Sequence, residues 1–562
     1  MKIVIMDMGY INRRQTENVE VGIGPMIIAG ILKSLRCEVE YCNQLIHEFD
    51  DVYTIAKSTM VGKADVVMFS TRCDNYILDL YLAKAIKRRN SDIVVIFAGP
   101  QATHTSKETL QNFDFIDYVI RNEGEETTKE LIIYLRDGGE VSKILGISYR
   151  SGGNVYENPD RPMMDKISYL PDYTIIPEDH IKVMRERMSA IRIEAGRGCP
   201  YQCIFCSTNH MWKRKYRLKP VEDIYLEMQT VYEKWGIKRF VLEHDSLTAD
   251  RKKFRSFLTK MKELNTEGFT WKCSSRIDTL AIEDIPLMRE AGCTDIYFGI
   301  ESGSEKMQII YKKNLQFDRI QRLFSELEKN NIFFIASFIC GHPDETIDDI
   351  EKTLRLMMLS KVFFNCIDIQ LHRLSPENGS ELYEEFKTSL VFDQDSVSDQ
   401  AVGNLTEYEC CMIREYPTVF AAFYTPVLSQ QMLNVISLAL TKGLILIKSY
   451  PLTLNILVNR FNKKILHLIE YTDERLREEV YECAKGSQYY IKDEIERIFQ
   501  IEYNQKHGRS NMEKFFHVDL KNLTGQEIKQ SKYITETDQG VQIYLGIEAS
   551  IMNKIESRGV LE

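Results

Sequence analysis

Cys199, Cys203 and Cys206 share one loop, Gly196-Arg197-Gly198-Cys199-Pro200-Tyr201-Gln202-Cys203-Ile204-Phe205-Cys206, directly behind the strand-like run Ile191-Arg192-Ile193-Glu194. This C-x3-C-x2-C spacing gathers three thiolates around one inorganic group. Zinc is one candidate, with His210 or a distant residue completing the tetrahedron. A cubane iron–sulfur cluster held at three corners is the other. Clusters that only shuttle electrons normally have four cysteine ligands, so three leave one iron open to a substrate. Taken alone, the spacing serves both. The surrounding sequence favours the cluster.

Upstream, short apolar runs alternate with amphipathic segments over residues 1–140. Ile3-Val4-Ile5-Met6, Val39-Glu40-Tyr41, Val66 to Ser70, Ile93 to Ala98 and Tyr118 to Arg121 read as buried parallel strands. Tyr76 to Arg89 carries helical periodicity between two of them. The alternation predicts an α/β, doubly wound, Rossmann-like sheet with ligands at the carboxyl ends of its strands. Those ends hold Gly22, Gly24 and Pro25, then Ser70-Thr71-Arg72-Cys73-Asp74, Gly99-Pro100-Gln101 and Asn122-Glu123-Gly124. Glycine there lets backbone amides approach a flat or phosphorylated ligand. A hairpin with a Ser151-Gly152-Gly153-Asn154 turn and then Pro159, Pro162, Pro171 and Pro177 predict a linker over 141–187. From 188 to 385 six strand–helix units return, beginning at Ile191, Arg239, Thr270, Asp295, Phe333 and Cys366. Six units predict an open, partial (β/α)6 barrel, with chemistry on loops at the strands' carboxyl ends.

The cysteine loop with Phe205 before its last cysteine, the Gly-Pro turn before the first helix, Ala98-Gly99-Pro100-Gln101 and Arg121-Asn122-Glu123-Gly124-Glu125 together resemble the cobalamin (B12)-dependent radical SAM enzymes. The resemblance implies a [4Fe-4S] cluster on Cys199, Cys203 and Cys206, S-adenosylmethionine (SAM) at its open iron, and cobalamin on the N-terminal sheet. It implies SAM contacts from Phe205, Arg276, Glu301, Ser302, Ser337 and Arg373. Cobalamin contacts are implied for Gly24, Ser70, Thr71, Arg72, Cys73, Gly99, Pro100, Gln101, Glu123 and Gly124. No D-x-H-x-x-G run is present to supply a histidine below cobalt, and His104 reads as a loop residue. Arg72, a fixed positive charge, is expected either to face the lower side of the corrin and keep cobalt reducible, or to sit in a surface ion pair. Glu345 and Thr346 read as caps of the helix that follows, or as part of the SAM site. Glu243-His244-Asp245 follows the second barrel strand and reads as a substrate-positioning run or a helix start. Cys273, Cys293, Cys340 and Cys366 read as buried thiols.

Composition narrows the function classes. A net charge of −10 argues against a broad nucleic-acid footprint, since such proteins usually carry a basic stripe. The run Lys213-Arg214-Lys215-Tyr216-Arg217-Leu218-Lys219 is the local exception and reads as the solvated start of a helix, or an anion contact. Thirteen unevenly spread cysteines are not a disulfide framework. The first residues turn polar too early for a secretory signal. Val435 to Ile447 is interrupted by Lys442 and Gly443, is shorter than the ~20 apolar residues of a membrane span, and reads as a buried helix. These features predict a cytoplasmic, oxygen-sensitive protein with no membrane contact.

Residues 386–562 form a mostly helical domain that covers the barrel mouth, acts as a packing lid or binds a partner; Pro426 should break its first apolar segment. The reading is therefore a C-methyltransferase acting on an unactivated carbon of a peptide or small metabolite, through a 5′-deoxyadenosyl radical and methylcobalamin. It needs an external flavodoxin- or ferredoxin-type reductant. A second reading keeps the cofactors and ends in radical rearrangement or cyclisation. A transfer RNA methylthiotransferase would need three more N-terminal cluster cysteines, a pattern that Cys37, Cys42 and Cys73 do not make. A non-enzymatic cobalamin carrier would leave the cysteine loop without purpose.

Overall fold

The computed structural model describes residues 1–10, 21–43, 45–46, 49–186, 190–392, 405–485 and 489–507. Residues 508–562 of the expected C-terminal domain lie outside them. Two parallel sheets dominate. The first contains β1 (Lys2–Met6), β2 (Glu38–Cys42), β3 (Val66–Ser70), β4 (Val94–Ala98), β5 (Tyr118–Ile120), β6 (Ile147–Ser151) and β7 (Asn154–Glu157). Their order across the sheet is β2-β1-β3-β4-β5-β6-β7, parallel through β5 and antiparallel thereafter. The hairpin expected in the linker is thus the antiparallel edge of this sheet. β6 and β7 give β5 a partner on what would otherwise be an open edge.

Alternation sorts the strands' side chains onto two faces. Ile3, Ile5, Met68 and Ile96 enter one core with the helix Ile23–Ser34, a core continuous with the second sheet's outer layer. Val4, Met6, Val67, Phe69, Val95 and Phe97 enter another with Tyr76–Arg89, the helix predicted over those residues.

The second sheet holds β8 (Ile191–Glu194), β11 (Arg239–Glu243), β12 (Thr270–Arg276), β13 (Cys293–Glu301), β14 (Phe333–Cys340) and β15 (Cys366–Arg373), hydrogen-bonded in that order. A short antiparallel pair, β9 (Gly196–Arg197) and β10 (Arg217–Leu218), lies between β8 and β11 in the chain. Only neighbouring strands pair, so β8 and β15 are free edges of an open, six-stranded partial barrel, as the alternation predicts. Phe240, Leu242, Trp271, Ile296, Phe298, Phe334 and Ile369 face the helices and are buried. The intervening Arg192, Glu243, Tyr297, Ser337 and Gln370 face the lumen. A barrel filled for stability would be apolar on both sides of each strand; this one keeps a polar interior.

The C-terminal segments serve both units. Ile413, Val419, Phe420, Phe423 and Tyr424 complete the first sheet's second core. Pro426 closes a two-residue strand, Thr425–Pro426, and does end the first apolar segment. Further on, Glu351 of the barrel helix Ile347–Val362 accepts the amides of Ile465 (2.9 Å) and Leu466 (2.9 Å), capping a C-terminal helix. The apolar run forms a helix, Gln430–Ser449, whose 20 residues are by length and composition alone enough to cross a membrane. That corrects the expected shortfall in length. It is also less buried than expected, at 28% of its apolar window, although Ile436, Ala439, Leu446 and Ile447 pack on the barrel.

Candidate active site

The first sheet's strand order places its topological switch between β1 and β3, where α/β proteins bind ligands. Asp7 follows β1 and Arg72 follows β3. Asp7 accepts the Gly22 amide (2.8 Å), the Tyr41 hydroxyl (2.8 Å) and one Arg72 nitrogen (3.5 Å), while Arg72 also reaches Asp74 (3.2 Å). Arg72 is thus ion-paired, as one of the two expectations has it, and it also lines the cavity above the switch. That cavity is about 1150 Å³ and runs from these strand ends to the cysteine loop and the barrel mouth.

Gly24, Ser70, Arg72, Cys73, Gly99, Pro100, Gln101, Glu123 and Gly124 all line it. Thr71 does not face it. Thr71 is buried, donating to the Ala98 carbonyl (3.0 Å) and accepting the Ala102 amide (3.2 Å), so it fastens the β4 turn instead. Gly99, at φ 115°, lies so close to Thr71 that a Cβ would collide with its carbonyl. This close approach flattens the floor beside Pro100. Gln101 is partly committed elsewhere, its amide donating to the Val419 carbonyl at 2.6 Å.

Glu123 is not free for a cofactor either. With Glu125 it meets the barrel in a buried ionic cluster: Arg197 reaches Glu123 (3.0 Å), Glu125 (2.5 Å) and Glu194 (2.6 Å), and Arg217 reaches Glu123 (2.6 Å). The Trp212 ring lies 5.7 Å from both guanidinium carbons. The basic run is therefore no solvated helix start. Arg217 lies in β10, and Lys219 is fully buried against Glu227. Sequence reasoning missed Arg197, because its partners on the first unit, Glu123 and Glu125, are more than 70 residues away.

Four ties hold the cysteine loop. The Gly198 amide donates to Asp245 (2.5 Å), Ser207 donates to Glu377 (2.8 Å), and the Leu382 amide donates to the Ile204 carbonyl (2.8 Å). Arg276 donates to the Cys203 sulfur at 3.1 Å. Gly198, at φ 87°, presses on the Lys215 carbonyl and admits no side chain. All three cysteines are free thiols and half-buried. Burial pushes the Cys206 thiol up to about 12 and the Cys199 thiol upward too; both keep their protons at neutral pH until a metal displaces them. His210, proposed as a zinc ligand, instead sits edge-on to His104, ring centroids 5.9 Å apart. His104 is no simple loop residue. It borders the corrin-sized cavity as well as a second one of about 860 Å³ on the far side of the cysteine loop, and burial lowers its pKa to about 4.

The six SAM candidates divide. Ser337 is buried in the lumen beside Tyr297. Glu301 ends β13 at φ 71° and pairs with Lys313 at 2.5 Å; a non-glycine side chain held there marks a strained, functionally suggestive position. Phe205 stands edge-on to Tyr311, centroids 5.6 Å apart, beside the loop. Ser302 is fully buried and bonded to Thr353 (3.0 Å) of the helix Ile347–Val362, away from the lumen. Arg373 is directed to the C-terminal segment, donating to Thr425 at 3.0 Å. Arg276 is not a free clamp, since Asp278 and the Lys313 carbonyl take its other nitrogens. Thr346 caps its helix in a reciprocal pair with Asp349, and Glu345 accepts the Gly341 amide (2.6 Å), so both serve the turn. His244 is buried and neutral, accepting the Ser246 amide (3.0 Å) under β10, while Glu243 pairs with Arg192.

Residues 193–357 match the Radical SAM superfamily, and residues 11–132 match the B12 binding domain. An uncharacterized methyltransferase of Pyrococcus horikoshii is 30% identical over 336 residues, covering 59% of this chain and 71% of that protein. The chain belongs to the cobalamin-dependent radical SAM family. It is an enzyme of that family, and the family's cofactors are a [4Fe-4S] cluster, SAM and cobalamin. An anaerobic magnesium-protoporphyrin IX monomethyl ester cyclase of Rubrivivax gelatinosus is 27% identical over 285 residues, 49% of this chain and 50% of that protein. The fold resembles the radical S-adenosylmethionine methyltransferase TsrM from Kitasatospora setae (TM-score 0.59, 15% identity, 68% of this chain and 77% of that one). It also resembles the cobalamin-dependent radical enzyme OxsB (TM-score 0.57, 13% identity, 100% of this chain and 81% of that one).

The donor chemistry present suits the family's cofactors, although no three His, Cys, Asp or Glu side chains among the described residues stand together as a metal site. The three half-buried thiols are soft ligands on a loop fixed at both ends. The glycine-floored cavity of about 1150 Å³ lies at the switch point, where Asp7 and Arg72 bring charged groups to its wall. The family's inorganic cofactor is a [4Fe-4S] cluster rather than a zinc ion.

Proposed function

We propose that this enzyme methylates an unactivated carbon of a peptide or small metabolite. The observation that carries the reading is the single cavity of about 1150 Å³ joining the first sheet's switch point to the barrel mouth. A substrate lying there touches the floor proposed for cobalamin, with Ser207 and Thr208 after the cysteine loop and Glu243 and Ser274 of the barrel at its other end, while Cys203 and Cys206 open onto the neighbouring cavity of about 860 Å³. When bound, the cluster with SAM supplies a carbon-centred radical oxidant, and cobalamin supplies the methyl group. Cys199, Cys203 and Cys206 would hold the cluster. Glu301 and Ser337 would bind SAM in the lumen, and Phe205 would pack beside it. Gly24, Ser70, Arg72, Cys73, Gly99, Pro100, Gln101 and Gly124 would cradle cobalamin. Arg72 keeps a positive charge at the switch point, where Asp7 and Asp74 orient it. The Arg192–Glu243 pair fixes the lumen's polar wall. Residues Thr418 to Thr425 close the side of the mouth, taking hydrogen bonds from Gln101, Arg373 and Asn378. We place the protein in the cytoplasm, served by a flavodoxin- or ferredoxin-type donor.

The cyclase relative supports a second reading with the same cofactors, in which the substrate radical rearranges or cyclises. Anaerobic purification with cobalamin, followed by turnover with SAM deuterated in its methyl group, separates the two. A product heavier by a labelled methyl group supports methylation. Loss of hydrogen without added label overturns it in favour of cyclisation. Iron without cobalt at full occupancy would overturn both.

A further inference from the structure

Arg276 ends β12 beside the cysteine loop and is buried. Its Nε donates to Asp278 Oδ1 (3.0 Å), and the terminal nitrogen Nη2 donates to Asp278 Oδ2 (2.9 Å) and to the Lys313 carbonyl (2.9 Å). The other terminal nitrogen, Nη1, donates to Cys203 Sγ at 3.1 Å. The Tyr201 ring covers the guanidinium face at 4.0 Å. Four of five N–H groups are thereby assigned, and the plane is clamped by a carboxylate fork on one side and an aromatic ring on the other. So held, the side chain is not free to swing out as a clamp for a ligand carboxylate. The other two cysteines receive neutral donors, the Tyr201 amide for Cys199 and the Thr208 hydroxyl and amide for Cys206.

We infer that Arg276 is a positioning residue for the cluster itself: with Asp278 and Tyr201 it fixes Cys203 and places a permanent cation on one corner, raising the cluster's reduction potential. Hydrogen bonds to ligand sulfurs and local charge are two of the determinants of such potentials. The asymmetry eases the uptake of one electron. It also ties the potential to the third strand, since Asp278 lies in the turn after β12 and Lys313, whose carbonyl accepts from Arg276, pairs with Glu301 at the end of β13.

This rests on the cluster's assignment to Cys199, Cys203 and Cys206, which a count of about four irons in the unsubstituted protein, lost in Cys203→Ala, tests separately. The inference is tested by redox titration of the reduced-cluster EPR signal in anaerobic protein, without SAM or substrate, for Arg276→Gln, Arg276→Lys and Asp278→Asn. The expected result for Arg276→Gln is full iron and about a tenfold lower ratio of reduced to oxidised cluster at a fixed potential, equivalent to about 59 mV for one electron. Arg276→Lys should recover part of the shift, because it keeps the charge and loses the fork. Full iron with an unshifted potential in Arg276→Gln overturns the inference. If both Arg276 variants lose iron, Asp278→Asn decides: a lowered potential supports it, and an unshifted one overturns it.

Discussion

Asp79 shows how a single residue can carry a stability signature unrelated to catalysis. It lies on the helix Tyr76–Arg89, is fully buried, and neither carboxylate oxygen has a hydrogen-bond partner. Burial raises its pKa well above the ordinary value, with Arg72 opposing and Asp7 and Asp74 adding to the rise. The folded chain therefore keeps a proton that the unfolded chain releases above about pH 4. Stability from this group is full below that pH and falls as pH rises toward the folded pKa. The slope is about 1.4 kcal/mol per pH unit for one proton. Asp79→Asn removes the titration, so its unfolding free energy should fall less steeply between pH 5 and 8 than that of the unsubstituted chain. Urea unfolding at each pH checks this, and parallel slopes would show that Asp79 is ionised and solvated in the fold.

At the scale of elements, a buried ionic cluster joins the two sheets beside their shared apolar core. β9 presents Arg197 to Glu123 and Glu125 from the first sheet's last parallel unit, and Glu194 from β8 joins them. Each side chain is under 10% exposed. Removing one partner of such a cluster leaves uncompensated buried charge, a loss of about 3–5 kcal/mol. Arg197→Ala should lower apoprotein stability by that amount and weaken cobalamin binding, since the cavity wall on the Glu123–Gly124 turn loses its anchor. Thermal unfolding with and without cobalamin measures both. A loss below about 1 kcal/mol would mean that water already solvates the three carboxylates.

Over the whole molecule, the C-terminal segments lock the sheets at their relative angle. Phe420 is buried edge-on to Tyr76 of the first unit, centroids 6.2 Å apart, while the neighbouring Thr425 binds Arg373 of the barrel. Phe420→Ala leaves a cavity between them and should cost about 3–5 kcal/mol. If that segment only decorated the surface, the urea midpoint would hardly move. Its two-sided attachment favours the mouth-covering role over a separate partner-binding module.

Local sequence determined the strands and helices of both units, because β-strand and helix periods are written in neighbouring residues: the helix over Tyr76–Arg89 and the six barrel strands fall where alternation puts them. It determined the cysteine loop too, since three cysteines within eight residues, Cys199 to Cys206, need no distant partner to be read. It could not assign the polar side chains at the strand ends. Thr71, Glu123, Ser302 and Arg373 stand at the right positions, and distant groups claim them. Arg276 likewise went to Cys203 because Asp278 and Tyr201 hold its plane there. Which of two neighbours satisfies a buried charge depends on distances across the folded chain, and those exist only once the two sheets meet.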